Sequence, residues 1–479
     1  ANTTGKCSTA TGHHSMIANT TGCHNTASGV CSMYQNTEGN NNTAIGAWAM
    51  LKNTTGCRNV ALGQSALERT TIGCWNTALG TRSLYSNTTG CNNVAVGASS
   101  LHQSVTATAN VAVGYTALYD NTTGCLNTAI GHEALYNNTS APNNTAVGAL
   151  ALYCNDDAGG KENVAVGHYS LYLNDGGCRN VAVGPSSLYA NTTGVRNQAF
   201  GGWSLRRNTT GSNNTASGYY SLNCNTGAHY NVGYGHYTLR ANSTGNNNTA
   251  VGAWALCKNT AGCNVAVGYN ALGVNTSGGC NTALGYAAGA ANTTASYNTA
   301  VGFCSLFANT TGHSNNAFGY LALNKNTCGN HNTGIGFMAM CDTTSGSYNV
   351  SVGNCTLTDQ STGASNTVVG YRGGANMTTG GLNVAVGQSA LKSNTTGEYN
   401  TAMGACALGS TTTGMCNVAI GRTAGNANTT GTANIYIGTN ANPTANNLDN
   451  VVAIGYDAEA SATNDFILGN SSHVLDIPS

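Results

Sequence analysis

Charge is what this chain has least of. Only 7% of its 479 residues are charged, and 16 Lys and Arg balance 16 Asp and Glu. Such a composition gives no basic stripe for nucleic acid and no acidic tail, so partners are not found by electrostatic attraction. Long apolar runs are missing too. No stretch approaches the roughly 18 residues of a membrane-spanning helix, and none reads as a signal peptide, which argues against membrane insertion. Catalytic patterns are equally scarce. The 16 acids do not recur in pairs, the 11 His are scattered, and no GxSxG, Walker or GxGxxG motif sits between a strand and a helix. The 19 Cys form no CxxC pair and no Cys/His metal spacing. No catalytic, metal or cofactor site is expected, and the chain reads as non-enzymatic.

What the chain has instead is one short segment repeated almost throughout. Asn110 to Leu126 reads NVAVGYTALYDNTTGCL, and Asn127 opens the next copy, NTAIGHEALYNNTSAPN. The glycine in the fifth place recurs at 12, 29, 46, 63, 80, 97, 114, 131 and 148, then from 167 to 252 and from 268 to 455, always 17 apart within each run. The two exceptions are a 19-residue step from Gly148 to Gly167 and a 16-residue step from Gly252 to Gly268. The 64 Gly and abundant Asn and Thr alone would suggest disorder, but a disordered chain has no reason to hold apolar residues in fixed columns. About 27 copies of one period mean a repeat architecture, each unit burying its apolar face against its neighbours.

Seventeen residues are too few for a helical hairpin, which needs about thirty or more. The glycines of the fifth and fifteenth places would each cost about 1 kcal/mol inside a helix. The β-branched residues of the second and fourth places favour a short strand ended by Gly, and the Ala-Leu pair at the eighth and ninth suggests a second short extended segment. Asn-Thr-Thr-Gly, at the twelfth to fifteenth places, reads as a turn in which Asn tolerates the left-handed region and Gly supplies positive φ. The fold class expected is therefore all-β, a parallel β-solenoid of about 27 coils with a 17-residue repeat. At about 4.8 Å per coil it would make a rod of roughly 130 Å.

The ninth place, filled by Met16, Met33, Met50, Leu67, Leu84, Leu101, Leu118, Leu135 and Leu152, is the expected interior ladder. The third and fourth places, such as Ala95 with Val96 and Ala112 with Val113, are both apolar, yet successive strand residues point to opposite faces. A strand apolar on both faces is normally covered on both, and the simplest cover for the outer one is another copy of the chain. Domains are expected at 1–438, a repetitive shaft, and 439–479, divergent C-terminal coils and a cap. The segment Ala1-Asn2-Thr3-Thr4-Gly5 enters the repeat in mid-coil without a polar cap, as a piece of a longer chain or a docked end would.

Several side chains invite functional readings. Cys23, Cys57, Cys74, Cys91, Cys125, Cys178 and Cys263 follow the turn glycine, and Cys31, Cys304, Cys355 and Cys406 hold the seventh place. Stacked one coil apart, Cys57, Cys74 and Cys91 have a spacing compatible with disulfides, but free thiols in variable slots are the preferred reading. The Asn-X-Thr turns at Asn53, Asn87, Asn121, Asn191, Asn208, Asn309 and Asn394 match glycan acceptors, although the turn itself requires the same residues. The insertion at 155–162, with Asp156, Asp157 and Glu162, lacks the ligand spacing of a calcium site and reads as an exposed loop. Trp48, Trp203, Trp254, Tyr115, Tyr219 and Tyr269 occupy outward slots suited to carbohydrate stacking.

The strings NTAVG, NVAVG and VVAIGYDAEASATND, the last at 451–465, resemble the YadA-like head repeats of trimeric autotransporter adhesins. The 17-residue NTTG version resembles the repeat arrays of phage tail-fibre proteins. The resemblance implies a left-handed β-roll assembled as a homotrimer, which agrees with the two-faced strand. It implies a structural fibre or adhesin-like shaft, extracellular or on a virion surface, that attaches to a cell-surface glycan or receptor. Two alternatives stay open: an ice-binding solenoid using Thr at the second, thirteenth and fourteenth places, and a filament joined end to end.

Overall fold

The β-branched residue of the second place does start a strand, and the fifth-place glycine ends it. The computed structural model describes residues 3–156, 159–470 and 472. The chain divides into two compact units, residues 1–246 and 247–479, and each is a parallel β-solenoid. In the first, three-residue strands run from Thr9–Thr11 to Val232–Tyr234. In the second they run from Thr249–Val251 to Val452–Ile454 and end with Phe466–Leu468. No helix occurs among the described residues. Within each unit the strands of neighbouring coils pair in parallel, place for place: Val111 faces Thr128, Ala112 faces Ala129 and Val113 faces Ile130.

The expected second extended segment is absent from the regular coils. Its residues turn instead, because the seventh and ninth places take positive φ although neither is glycine: Thr116 has φ 49° and Leu118 φ 55°. A left-handed residue with a Cβ costs about 1 to 2 kcal/mol. Two gains offset this. The Leu118 side chain is fully buried, which contributes about 1.5 to 3 kcal/mol, and its N–H donates to Ala134 of the next coil at 2.9 Å. A two-residue strand near this place forms only in the last coils, where Asn442–Pro443 pairs with Glu459–Ala460.

The turn expectation also needs correcting. In Asn-Thr-Thr-Gly neither the Asn nor the Gly has positive φ; the third non-glycine place of the coil that does, after the seventh and ninth, is the seventeenth, as at Leu126 with φ 61°. Space is tight at the turn glycine, although Ala107, Ala141, Ala228 and Ala295 hold the same place in other coils. A Cβ on Gly177 would lie 2.5 Å from Oδ1 of Asn174 and 2.6 Å from the carbonyl oxygen of Gly194. The fifth-place glycine is required on both counts: Gly131 has φ 138°, and a Cβ there would meet the Gly148 carbonyl at 2.5 Å.

The interior is built from the third, eighth and ninth places and from two asparagine columns. Ala112, Ala117 and Leu118 are fully buried, while Ile130, in the fourth place, is 41% exposed. The strand's inward face is therefore the alanine face. A serine at the eighth place satisfies itself by donating to the fifth-place carbonyl, as Ser100 does to Gly97 at 2.9 Å.

Asparagine stitches the coils together. Asn110 Nδ2 donates to the Gly124 carbonyl at 2.9 Å and to Asn93 Oδ1 at 3.2 Å, while its Oδ1 accepts the Asn127 N–H at 2.9 Å. Asn138 Nδ2 donates to Asn121 Oδ1 and to the Ala141 carbonyl, both at 3.0 Å. Buried polar groups are tolerated when paired in this way.

The irregular steps are absorbed at this turn. Across the 19-residue step, Asn155 Nδ2 reaches Gly160 five residues on rather than three, and Val164 keeps its register opposite Thr145. Across the 16-residue step, Asn259 Nδ2 reaches Ala261, two residues on. Cys263 there has φ 62° and its neighbour Gly262 accepts from Cys280 N–H, so Cys263 fills the seventeenth place and not the one after the turn glycine.

Candidate functional site: the outward ladders

Because every coil repeats, each outward place becomes a column, and three columns carry distinct chemistry. The fourth-place column is aliphatic and aromatic. Ile45, Leu62, Ile130 and Phe200 in the first unit, and Leu284, Ile335, Met403 and Ile420 in the second, are between 37% and 48% exposed. They form apolar strips that none of the described residues covers.

The sixth place holds a five-ring stack in the second unit: Tyr269, Tyr286, Phe303, Tyr320 and Phe337, with centroids 5.2 to 5.4 Å apart and planes within 8° to 13°. The tenth place holds a seven-ring stack in the first unit, Tyr85, His102, Tyr119, Tyr136, Tyr153, Tyr172 and Tyr189, at 4.9 to 5.3 Å. Both ends of the seven-ring stack are closed by cations. The guanidinium of Arg69 lies 4.9 Å from the Tyr85 centroid and that of Arg206 5.5 Å from Tyr189. Burial raises the phenol pKa of Tyr136, Tyr153 and Tyr172. Burial, then Arg82 and Arg69, lowers that of His102.

This geometry limits the carbohydrate reading. A sugar ring packs on an aromatic face, and inside a stack both faces are already covered by the neighbouring coils. Tyr269 leads such a stack, and Tyr115 lies on His132 at 5.6 Å. Trp203 and Tyr219 lean on one another and on Tyr220. Trp48 and Trp254 are 42% and 37% exposed. Of the six aromatics singled out from the sequence, most are therefore parts of rows or clusters. The tenth-place row was missed there, although its signal, an aromatic residue after Leu in seven successive coils, was present.

The other sequence candidates are placed as follows. Asn53, Asn87, Asn121, Asn191, Asn208, Asn309 and Asn394 are at most 1% exposed, and Asn121 Nδ2 already donates to the Gly124 carbonyl at 2.9 Å. The folded coil has no room for a glycan on them. Thirteenth-place hydroxyls are engaged as well: Thr54 Oγ1 donates to the Thr71 carbonyl at 3.0 Å and Thr71 to Thr88 at 3.1 Å. Glu162 pairs with Arg179 of the next coil at 2.7 Å, which lowers its carboxyl pKa; Asp157 lies outside the described residues. Among the described residues the cysteines are free thiols, and no group of three or more His, Cys, Asp or Glu is arranged to hold a metal. Among the described residues no helix is long and apolar enough to cross a membrane.

No protein-family model matches the sequence, and no curated protein matches it either.

Proposed function

We propose that the chain is the shaft of a non-enzymatic extracellular or virion-surface fibre. Three copies assemble as a left-handed β-roll homotrimer that carries a surface for attachment to a cell-surface glycan or receptor. The observation that supports this most is the exposed apolar column of the fourth place, set back to back with the buried alanines of the third. In water such a strip is a liability unless covered, and a partner of the same period matches it coil for coil. The engaged thirteenth-place hydroxyls weigh against the ice-binding alternative.

The sedimentation mass tests the assembly, and two triple variants test the surface. Val96, Val113 and Ile130 changed together to Asn should dissociate the trimer and leave each chain folded. Ala95, Ala112 and Ala129 changed to Asn should unfold it, because three polar groups would enter the core. A monomeric mass for the unmodified chain rejects the trimer. Clear thermal hysteresis at micromolar protein would favour an ice-binding surface instead.

A further inference from the structure

The column after the turn glycine holds cysteines in three successive coils, Cys57, Cys74 and Cys91. Elsewhere in that column the thiols stand alone: Cys125 has Thr108 and Pro142 one coil away, and Cys23 has Lys6 and Asn40. In the triplet the geometry is close. Cys57 Sγ lies 2.9 Å from Cys74 Sγ, the Cys57 N–H donates to Cys74 Sγ at 3.1 Å, and the Cys74 N–H donates to Cys91 Sγ at 3.2 Å. All three side chains are partly exposed, so a small oxidant can reach them.

We propose that Cys57 and Cys74 form an oxidisable staple between adjacent coils, closed by exchange with a small disulfide such as oxidised glutathione. One cysteine thiolate attacks a glutathione sulfur, forming a mixed disulfide and releasing one glutathione thiolate. The second cysteine thiolate then attacks the protein sulfur of that mixed disulfide, forming the Cys57–Cys74 bond and releasing the other glutathione. Two protein thiols are oxidised by two electrons, one glutathione disulfide is reduced to two thiols, and the two protons pass to them. The register that stacks the coils brings the two sulfurs together, so the bond requires little backbone movement. It would bind the coil that opens at Asn42 to the coil that opens at Asn59.

The test is to incubate the chain with oxidised glutathione, alkylate the remaining thiols, digest with trypsin and map the peptides. Cleavage after Lys52, Arg58, Arg69 and Arg82 separates the partners. The expected product joins peptides 53–58 and 70–82, two hydrogens lighter than their sum, with Cys91 alkylated. Cys91→Ser should keep the cross-link and Cys74→Ser should abolish it. Oxidation should raise the melting temperature of the parent and leave that of Cys74→Ser unchanged. Separate glutathione adducts on Cys57 and Cys74, alkylation of both as fast as of Cys125, or a Cys74–Cys91 link in the parent would each overturn the proposal.

Discussion

Gly425 and Tyr436 compete for one volume in the core: a Cβ on Gly425 would lie 2.7 Å from Cδ2 of the Tyr436 ring. Gly425 stands in the ninth place, where most coils carry Leu, and Tyr436 in the third, where most carry Ala. The large and small residues have changed sides. Gly425→Leu alone should cost about 1 to 3 kcal/mol by overpacking, and Tyr436→Ala alone about 3 to 5 kcal/mol by the cavity it leaves. The double variant restores the regular pair and should be much more stable than the sum, a coupling that a double-mutant cycle in denaturant would measure. Additive effects would show that the two do not share space.

Tyr436 adds a second expectation. Its ring is fully buried, its hydroxyl has no hydrogen-bond partner among the described residues, and burial pushes the phenol pKa far up. Tyr436→Phe removes an unsatisfied group and should be neutral or stabilising, by up to about 1 to 3 kcal/mol. A clear drop in melting temperature would point to a partner for that hydroxyl.

Gly289 is the opposite case, a ninth-place glycine without a compensating large residue. It borders a small cavity lined by Leu272, Ala300 and Leu306, and its φ of 58° is one that Leu adopts in neighbouring coils, as Leu306 does at 48°. Gly289→Leu should continue the ladder and stabilise the second unit by about 1 kcal/mol, burial outweighing the left-handed strain. A lower melting temperature would mean that Leu272, 3.0 Å from the position of the new Cβ, cannot yield.

Protonation of His102 should loosen the tenth-place stack. Burial and the nearby Arg82 and Arg69 lower its folded pKa below the ordinary histidine value, so between the folded and unfolded pKa values the unfolded chain binds more protons. Its contribution to stability is therefore full above the unfolded pKa and lost as pH falls toward the folded value. His102→Phe, which keeps a ring between Tyr85 and Tyr119, should lose less melting temperature than the parent between pH 7.5 and pH 5. Equal losses in the two would remove His102 from the acid response.

Asn110→Ala would strand the buried Asn127 N–H, which donates to Asn110 Oδ1 at 2.9 Å, and would leave the Gly124 carbonyl with Asn121 Nδ2 as its remaining amide donor. At about 1 to 3 kcal/mol for the unsatisfied N–H, the loss should be plain in a denaturant melt. By contrast, Tyr115→Ala, at a side chain 56% exposed, should change stability by no more than about 0.5 kcal/mol.

The amino-acid sequence by itself determined the period, the coil count, the strand at the second to fourth places, the glycine that ends it and the ninth-place Leu ladder inside. These are local or periodic properties, legible because β-branching, glycine and a repeated apolar column each have one structural meaning. Alternation fixed that the third and fourth places face opposite ways, and only the tertiary structure decided which way. Ala112 shares the fully buried interior with Leu118, and that leaves Val113 and Ile130 on the outward face, Ile130 41% exposed. The same stacking decided what no single coil contains. Asn110 and Asn121 are buried because their amides find partners both in their own coil, at the Gly124 carbonyl, and in the neighbouring coils. Thr116 and Leu118 hold left-handed backbone because the neighbouring coils accept their N–H groups, Ala98 that of Thr116 and Ala134 that of Leu118. Tyr85 to Tyr189 become one stack because parallel register places each ring over the last.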